Sequence, residues 1–174
     1  MSPATDVLVI AASSGENLKL AHRFGEAARQ KGLSAEVLDL TSLELPLYNP
    51  RVHAANGVPE SVPALSRRMA AVSRWVICAP EYNGSIPPVL TSAIAWLSVE
   101  GDKFRLLFNG RPIAIASHSG GGGVEVLAAL RIQLAHLGAQ VVGRQLVATR
   151  ARPAADDSID DIVARLAQLQ PLQL

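Results

Sequence analysis

The chain has 174 residues, of which 49% are hydrophobic and 18% charged, with a formal net charge of +1. That length suits one well-filled domain and is short for two. The near-neutral balance offers no basic field for nucleic acid or an anionic membrane, no apolar run approaches a membrane span, and the single cysteine excludes an internal disulfide.

The elements alternate. Val7 to Ala11 is short, apolar and β-branched, as a strand buried on both faces requires. Glu16 to Lys31 follows as a helix with Leu20, Phe24, Ala27 and Ala28 on one face, and Gly32 stops it. Ser34 to Asp39 predicts a second strand. Leu40 to Pro63 holds four prolines and little periodicity, so it predicts a long loop. Val62, Leu65, Met69 and Val72 mark a second helix. Trp75 to Ala79 is the third strand and carries Cys78 inside its apolar run, where it reads as core. Val89 to Leu97 is the third helix, Pro112 to Ser117 the fourth strand and Val124 to Leu137 the fourth helix. Gln140 to Val142 predicts the fifth strand and Ser158 to Leu169 the last helix. The opening residues, Met1 to Asp6, lack the basic region of a leader, so a cytoplasmic protein is the expectation.

Strands alternating with helices predict right-handed crossovers and a parallel sheet. Five strands and five helices fit one α/β domain over residues 1–174. Its sheet is doubly wound and flavodoxin-like, in the order 2-1-3-4-5, with helices on both faces. Ligands of such sheets bind outside the C-terminal strand ends, where the strand order reverses. The loops after strands 1, 3 and 4 are therefore the ones to read.

The first, Ala12 to Asn17, runs straight into a helix, and helix starts suit phosphate. Ser13-Ser14-Gly15-Glu16 also fits a capping box in which Ser13 caps and Glu16 folds back, and the local sequence favours this plain reading. The second, Pro80 to Pro87, turns at Asn83-Gly84, and Pro88 fits the first position of the next helix. A structural turn alone has no need of Glu81, Tyr82, Asn83 and Ser85 together. Such a turn presents backbone groups able to read the edge of a flat heterocycle. The third, Ser117 to Gly123, spends four glycines where backbone must approach a ligand closely.

The segments APEYNGSIPPVLTSAIAWLS, GRPIAIASHSGGGGVEVLAALRIQLAHLGAQVV and, more loosely, LELPLYNP resemble the NAD(P)H-dependent FMN reductases, a group that includes many quinone, azo-dye and chromate reductases. The resemblance spans roughly residues 6 to 145. It implies FMN held noncovalently at the three loops. Ser13, Ser14 and Asn17 fall where the family holds the phosphate. Pro80, Glu81, Tyr82, Asn83 and Gly84 would line the isoalloxazine, and Ser117, His118, Ser119, Gly120, Gly121 and Gly122 would sit at its other edge. This chain departs in the first loop, which lacks the family's arginine and sets Glu16 beside the phosphate position. Pro88 also stands where a glycine is usual.

The resemblance further implies NAD(P)H as co-substrate, with hydride passing through FMN to a quinone, free flavin, azo compound or similar small acceptor by a ping-pong mechanism. The flavin carries the chemistry, so no catalytic residue and no metal is expected. A homodimer or homotetramer is implied, with Trp96 close to the flavin loop in sequence and residues 99–104 as an extension toward a partner. Two other readings stand beside this one. One is a flavodoxin-like electron carrier, which the neutral charge disfavours. The other is a non-enzymatic binding module whose altered first loop has lost flavin.

Overall fold

The computed structural model describes residues 5–173, less the Asp102 side chain. Met1 to Ala4, part of the segment read above for a leader, lie outside it. β1 (Val7–Ala11) is buried along its whole length, as its unbroken apolar run requires. It pairs in parallel with β2 (Ala35–Asp39) on one side and β3 (Arg74–Cys78) on the other, and β3 pairs with β4 (Pro112–His118). The order is β2-β1-β3-β4-β5, as the alternation of elements predicts.

α1 (Glu16–Gln30) and α7 (Asp156–Gln168) cover one face of the sheet through Leu20, Phe24, Ile159 and Ile162. α3 (Ser61–Ala70), α4 (Pro88–Ser98), α5 (Asp102–Phe108) and α6 (Val124–His136) cover the other through Leu65, Leu90, Phe108 and Leu127. No helix of the described residues is long and apolar enough to cross a membrane.

The structure differs from the sequence-based expectation at the sheet edge. One strand over Gln140 to Val142 is predicted, whereas the edge comes in two pieces, β5 (Gln140–Val141) and β6 (Leu146–Ala148). β5 pairs with Pro112 and Ile113, and β6 with Ala116, Ser117 and His118. Residues 142–145 bow out opposite only Ala114 and Ile115. Arg131 of α6 fills the bow, donating to the Val142 carbonyl and to Gln145 Oε1, each at 3.0 Å.

Two further segments read differently. The region predicted as a long loop holds a 3-10 turn at Leu40–Ser42, the seven-residue α2 (Pro50–Asn56) and the start of α3. It is pinned to α4, since Trp96 Nε1 donates to the Pro46 carbonyl at 2.6 Å and the Tyr48 N–H to Ser92 Oγ at 2.7 Å. The stretch 99–104 is no free extension. It leads into α5, and Phe104 packs edge-on against Phe108 with ring centres 5.3 Å apart. Trp96 is fully buried, and Phe104 is half-buried.

At the opposite end of the sheet from the loops after β1, β3 and β4, Arg111 ties three elements. Its guanidinium donates to the carbonyls of Leu107 and Val72 and lies 4.4 Å over the Trp75 ring. Burial pulls its pKa down to about 10. Replacing Arg111 with methionine keeps the apolar stem but removes both donors. Hydrogen bonds to charged groups are worth about 1.5–3 kcal/mol each, but the Val72 carbonyl keeps the Trp75 indole at 3.1 Å. The expected loss is therefore about 2 kcal/mol, read as a lower urea midpoint at constant slope. An unchanged midpoint would contradict this role.

Candidate functional site

The register brings the three loops to one level. Ala11 lies beside Cys78, and Cys78 beside Ala116. One residue further on, the Ala12 N–H donates to the Cys78 carbonyl at 2.9 Å and the Ala79 N–H to the Ala116 carbonyl at 3.0 Å. The strand order reverses between β1 and β3, since α1 leaves over one face and α4 over the other. A crevice must open there.

In the link after β3, Tyr82 and Ser85 exchange both backbone hydrogen bonds at 3.1 Å around Asn83 and Gly84. Both tip residues have positive φ, 51° and 71°, as a two-residue mirror-image turn demands. Pro87 is extended and Pro88 starts α4. Glu81 is tied twice to the loop after β4. Its N–H donates to Ser119 Oγ at 2.6 Å, and its Oε2 accepts from the N–H groups of Glu125 and Val126 at 3.1 and 3.2 Å. Glu81 therefore caps α6 from a distant loop, where a carboxylate meets the helix dipole.

The loop after β4 is shaped around buried hydroxyls. Ser117 and Ser119 face each other, Oγ to Oγ, at 3.1 Å. Gly123 has φ 74°, and a Cβ there would stand 2.5 Å from Ser117 Oγ. Gly120 by contrast opens onto free space, and its N–H donates to no described residue.

The loop after β1 does not form the capping box that its sequence fits. The N-cap of α1 is Gly15, with no side-chain cap bond. Glu16 points to Lys19 Nζ at 2.6 Å, and that ammonium holds its carboxyl below the usual range. The N–H groups of Ser13, Ser14, Gly15 and Glu16 donate to no described residue. Asn17 is 2% exposed, and its amide is spent on the backbone of His118, donating to the carbonyl and accepting from the N–H, each at 2.9 Å. It clasps the first loop to the third.

The loops border a cleft of about 670 Å³. Of the residues singled out from the sequence, Ser13, Ser14, Asn17, Pro80, Glu81, Tyr82, His118 and Gly120 line it. Asn83 and Gly84 form the turn tip, Ser117 and Ser119 are buried, and none of these four nor Gly121 or Gly122 lines the cleft. The sequence reading missed Thr41 and Leu47, which come from the segment read as irregular, and Val89 from the first turn of α4. Leu47 lies in the looser LELPLYNP match and Val89 in the APEYNGSIPPVLTSAIAWLS segment, whereas no quoted segment contains Thr41. The cleft thus combines an apolar rim at Leu47, Tyr82 and Val89 with a floor of unspent backbone N–H groups. It suits a flat molecule bearing an anionic tail, and its size falls within the roughly 300–1,000 Å³ of small-molecule pockets.

A family model described as NADPH-dependent FMN reductase matches residues 5–153. A quinone reductase of Escherichia coli is 37% identical over 114 residues, which is 64% of this chain and 59% of that protein. The chain thus spans well under two thirds of that relative's length. An NAD(P)H-dependent FMN reductase of Pseudomonas aeruginosa is 32% identical over 151 residues, 82% of this chain and 78% of that protein. Among solved structures, a flavoenzyme NAD(P)H:(acceptor) oxidoreductase from Paracoccus denitrificans superposes with a TM-score of 0.73 at 24% identity, covering 95% of this chain and 99% of its own. An archaeal flavodoxin superposes at 0.62 with 11% identity, over 95% of this chain and 96% of its own. Both show the fold.

Proposed function

The chain belongs to the NADPH-dependent FMN reductase family, and from that premise we propose that it works as one FMN-binding domain that oxidises NAD(P)H and reduces a quinone or similar flat acceptor. The observation that carries this reading is the set of unspent N–H groups at Ser13 to Glu16, lining the same cleft as Tyr82 and Gly120.

The residues fit FMN. The free N–H groups of the first loop would take the phosphate, and the lack of a side-chain cap leaves them available. Pro80, Tyr82 and Gly120 would flank the ring system. Glu81, Asn17 and Ser119 act by holding those three loops in register, since each bonds another loop, while Ser117 backs Ser119 from within the same loop. FMN held there supplies hydride transfer between NAD(P)H and the acceptor. The chain's own share is to bind, orient and shield. Leu47 and Tyr82, 67% and 50% exposed, offer apolar surface on which a second flat molecule can stack.

Titration with FMN, followed by quenching of its fluorescence, tests the reading directly. One equivalent per chain is expected, with FAD and riboflavin weaker. A flat curve would sink the proposal. Because one open face serves donor and acceptor in turn, initial-rate plots against NADPH at several quinone concentrations should be parallel. Intersecting lines would mean that both substrates occupy the cleft together.

We also propose that the protein is a homodimer through the outer face of α6, in place of the 99–104 segment. Val124 and Ile132 are 57% and 72% exposed there, and Ala128 lies exposed between them at helical spacing. An apolar stripe on the outside of a helix marks an interaction surface. Light scattering at micromolar concentration should return twice the chain mass, and Ile132→Asp should return the monomer. A monomeric wild type would refute this assembly.

A further inference from the structure

Beside the cleft already described lies a second one of about 580 Å³, and the two share Glu16 and His118. One wall is α1 and the other is the turn after β6. Lys19 and Arg23 stand on adjacent turns of α1, and Arg150 lines the opposite wall. Three cations thus line the cleft beside one lining carboxylate, Glu16, and Asp156 pairs with Arg23 from outside the lining.

Their partners differ. Lys19 and Glu16 pair at 2.6 Å, with side chains 74% and 53% exposed, a contact that an arriving anion exchanges at little cost. Arg23 is braced by the Ala154 carbonyl at 2.8 Å and by Asp156 at 2.6 Å, so its position is set. Arg150 has no side-chain hydrogen-bond or ion-pair partner among the described residues. The turn that carries it is nonetheless fixed. The Thr149 N–H donates to the Arg152 carbonyl at 2.9 Å, and the Arg152 N–H to Thr149 Oγ1 at 3.0 Å. A free guanidinium on a fixed turn in a concave wall raises the local potential and presents a fork matched to phosphate.

We infer that this second cleft takes the phosphate-bearing adenosine half of NADPH, with Arg150 as the residue that distinguishes NADPH from NADH. The inference rests on the proposed reductase reading, which brings a nicotinamide dinucleotide to the adjoining cleft. A dinucleotide with its nicotinamide end at Tyr82 passes His118 to set its adenosine phosphate among Arg150, Arg23 and Lys19. The 2′-phosphate is the charge that NADH lacks, and Arg150 is the cation with nothing else to hold.

Calorimetric titration of the FMN-loaded protein, whose first-loop N–H groups are then occupied, tests this with three probes: adenosine 2′,5′-bisphosphate, AMP and inorganic phosphate. The bisphosphate should bind about tenfold or more tighter than AMP, as a charge-assisted fork implies. Arg150→Gln should bring the two within about threefold, and Arg150→Glu should abolish bisphosphate binding while melting temperature and FMN affinity hold. The ratio of kcat/KM for NADPH to that for NADH should fall about tenfold in Arg150→Gln. Equal affinity for bisphosphate and AMP, or a bisphosphate affinity indifferent to Arg150, overturns the inference. Inorganic phosphate binding as tightly as the bisphosphate also overturns it, since the cleft would then hold a free anion and no nucleotide. FMN binding is read first and separately, so its failure falls on the proposed function, whereas failure of the bisphosphate on FMN-loaded protein falls on this inference.

Discussion

Gly123→Ala is expected to destabilise the protein by about 2–6 kcal/mol, combining a left-handed backbone strain of about 1–3 with overpacking of about 1–3. The backbone there has φ 74° and ψ 17°, which suits glycine. The added methyl would also meet Ser117 Oγ at 2.5 Å and Ser117 Cβ at 2.8 Å. Ser117 is fully buried in β4, so it has nowhere to turn. Gly120→Ala is the matched control, because its Cβ meets nothing within 4 Å, and its stability should stay within about 0.5 kcal/mol of wild type. Urea unfolding of both variants checks the contrast. A Gly123→Ala loss below 1 kcal/mol would show that the loop relaxes around the methyl and that the glycine is not required by packing.

The second large effect belongs to Glu81. Glu81→Ala should cost about 2–3 kcal/mol, because two N–H groups at the start of α6 lose a charged acceptor at once. Glu81→Gln keeps one acceptor oxygen and loses the charge, so it should cost about half as much. FMN affinity should fall about tenfold in Glu81→Ala, since the link after β3 is then tied to the glycine loop only through the Ser119 hydroxyl at 2.6 Å. Unfolding midpoints and fluorescence quenching read the two effects separately. Full stability with weakened FMN binding would instead assign Glu81 to the ligand and not to α6.

These two positions also show what the sequence could and could not disclose. Gly123 and Glu81 were both legible as residues of strand-end loops, because the alternation of buried strands and amphipathic helices sets which loops share an edge. What each side chain touches was not legible. Asn17 and His118 are 101 positions apart, and Glu81 and Val126 are 45 apart. A polar residue spent on a distant loop reads the same in sequence as one offered to a ligand. The capping box at Ser13 to Glu16 failed for a related reason, since the nearby ammonium of Lys19 draws Glu16 outward. α2 was missed because none of its seven residues is buried, so no apolar period marks it. The expected strand at Gln140 to Val142 is found as β5, whereas β6 went unseen because it is three residues long, shorter than any alternation can reveal.

That broken edge has a consequence for how the molecule meets its neighbours. An uninterrupted outer strand is a template on which another chain can add its own backbone, and proteins blunt such edges with bulges and very short strands. Here the bow at 142–145 interrupts the row of unpaired groups, and Arg131 claims the Val142 carbonyl within it. At the opposite margin, β2 sets Glu36 against Arg68 of α3, so that rim carries charge. Both features disfavour strand addition at the margins of the sheet. The helical faces carry no such open row of backbone groups, so on them only side-chain shape can decide what fits.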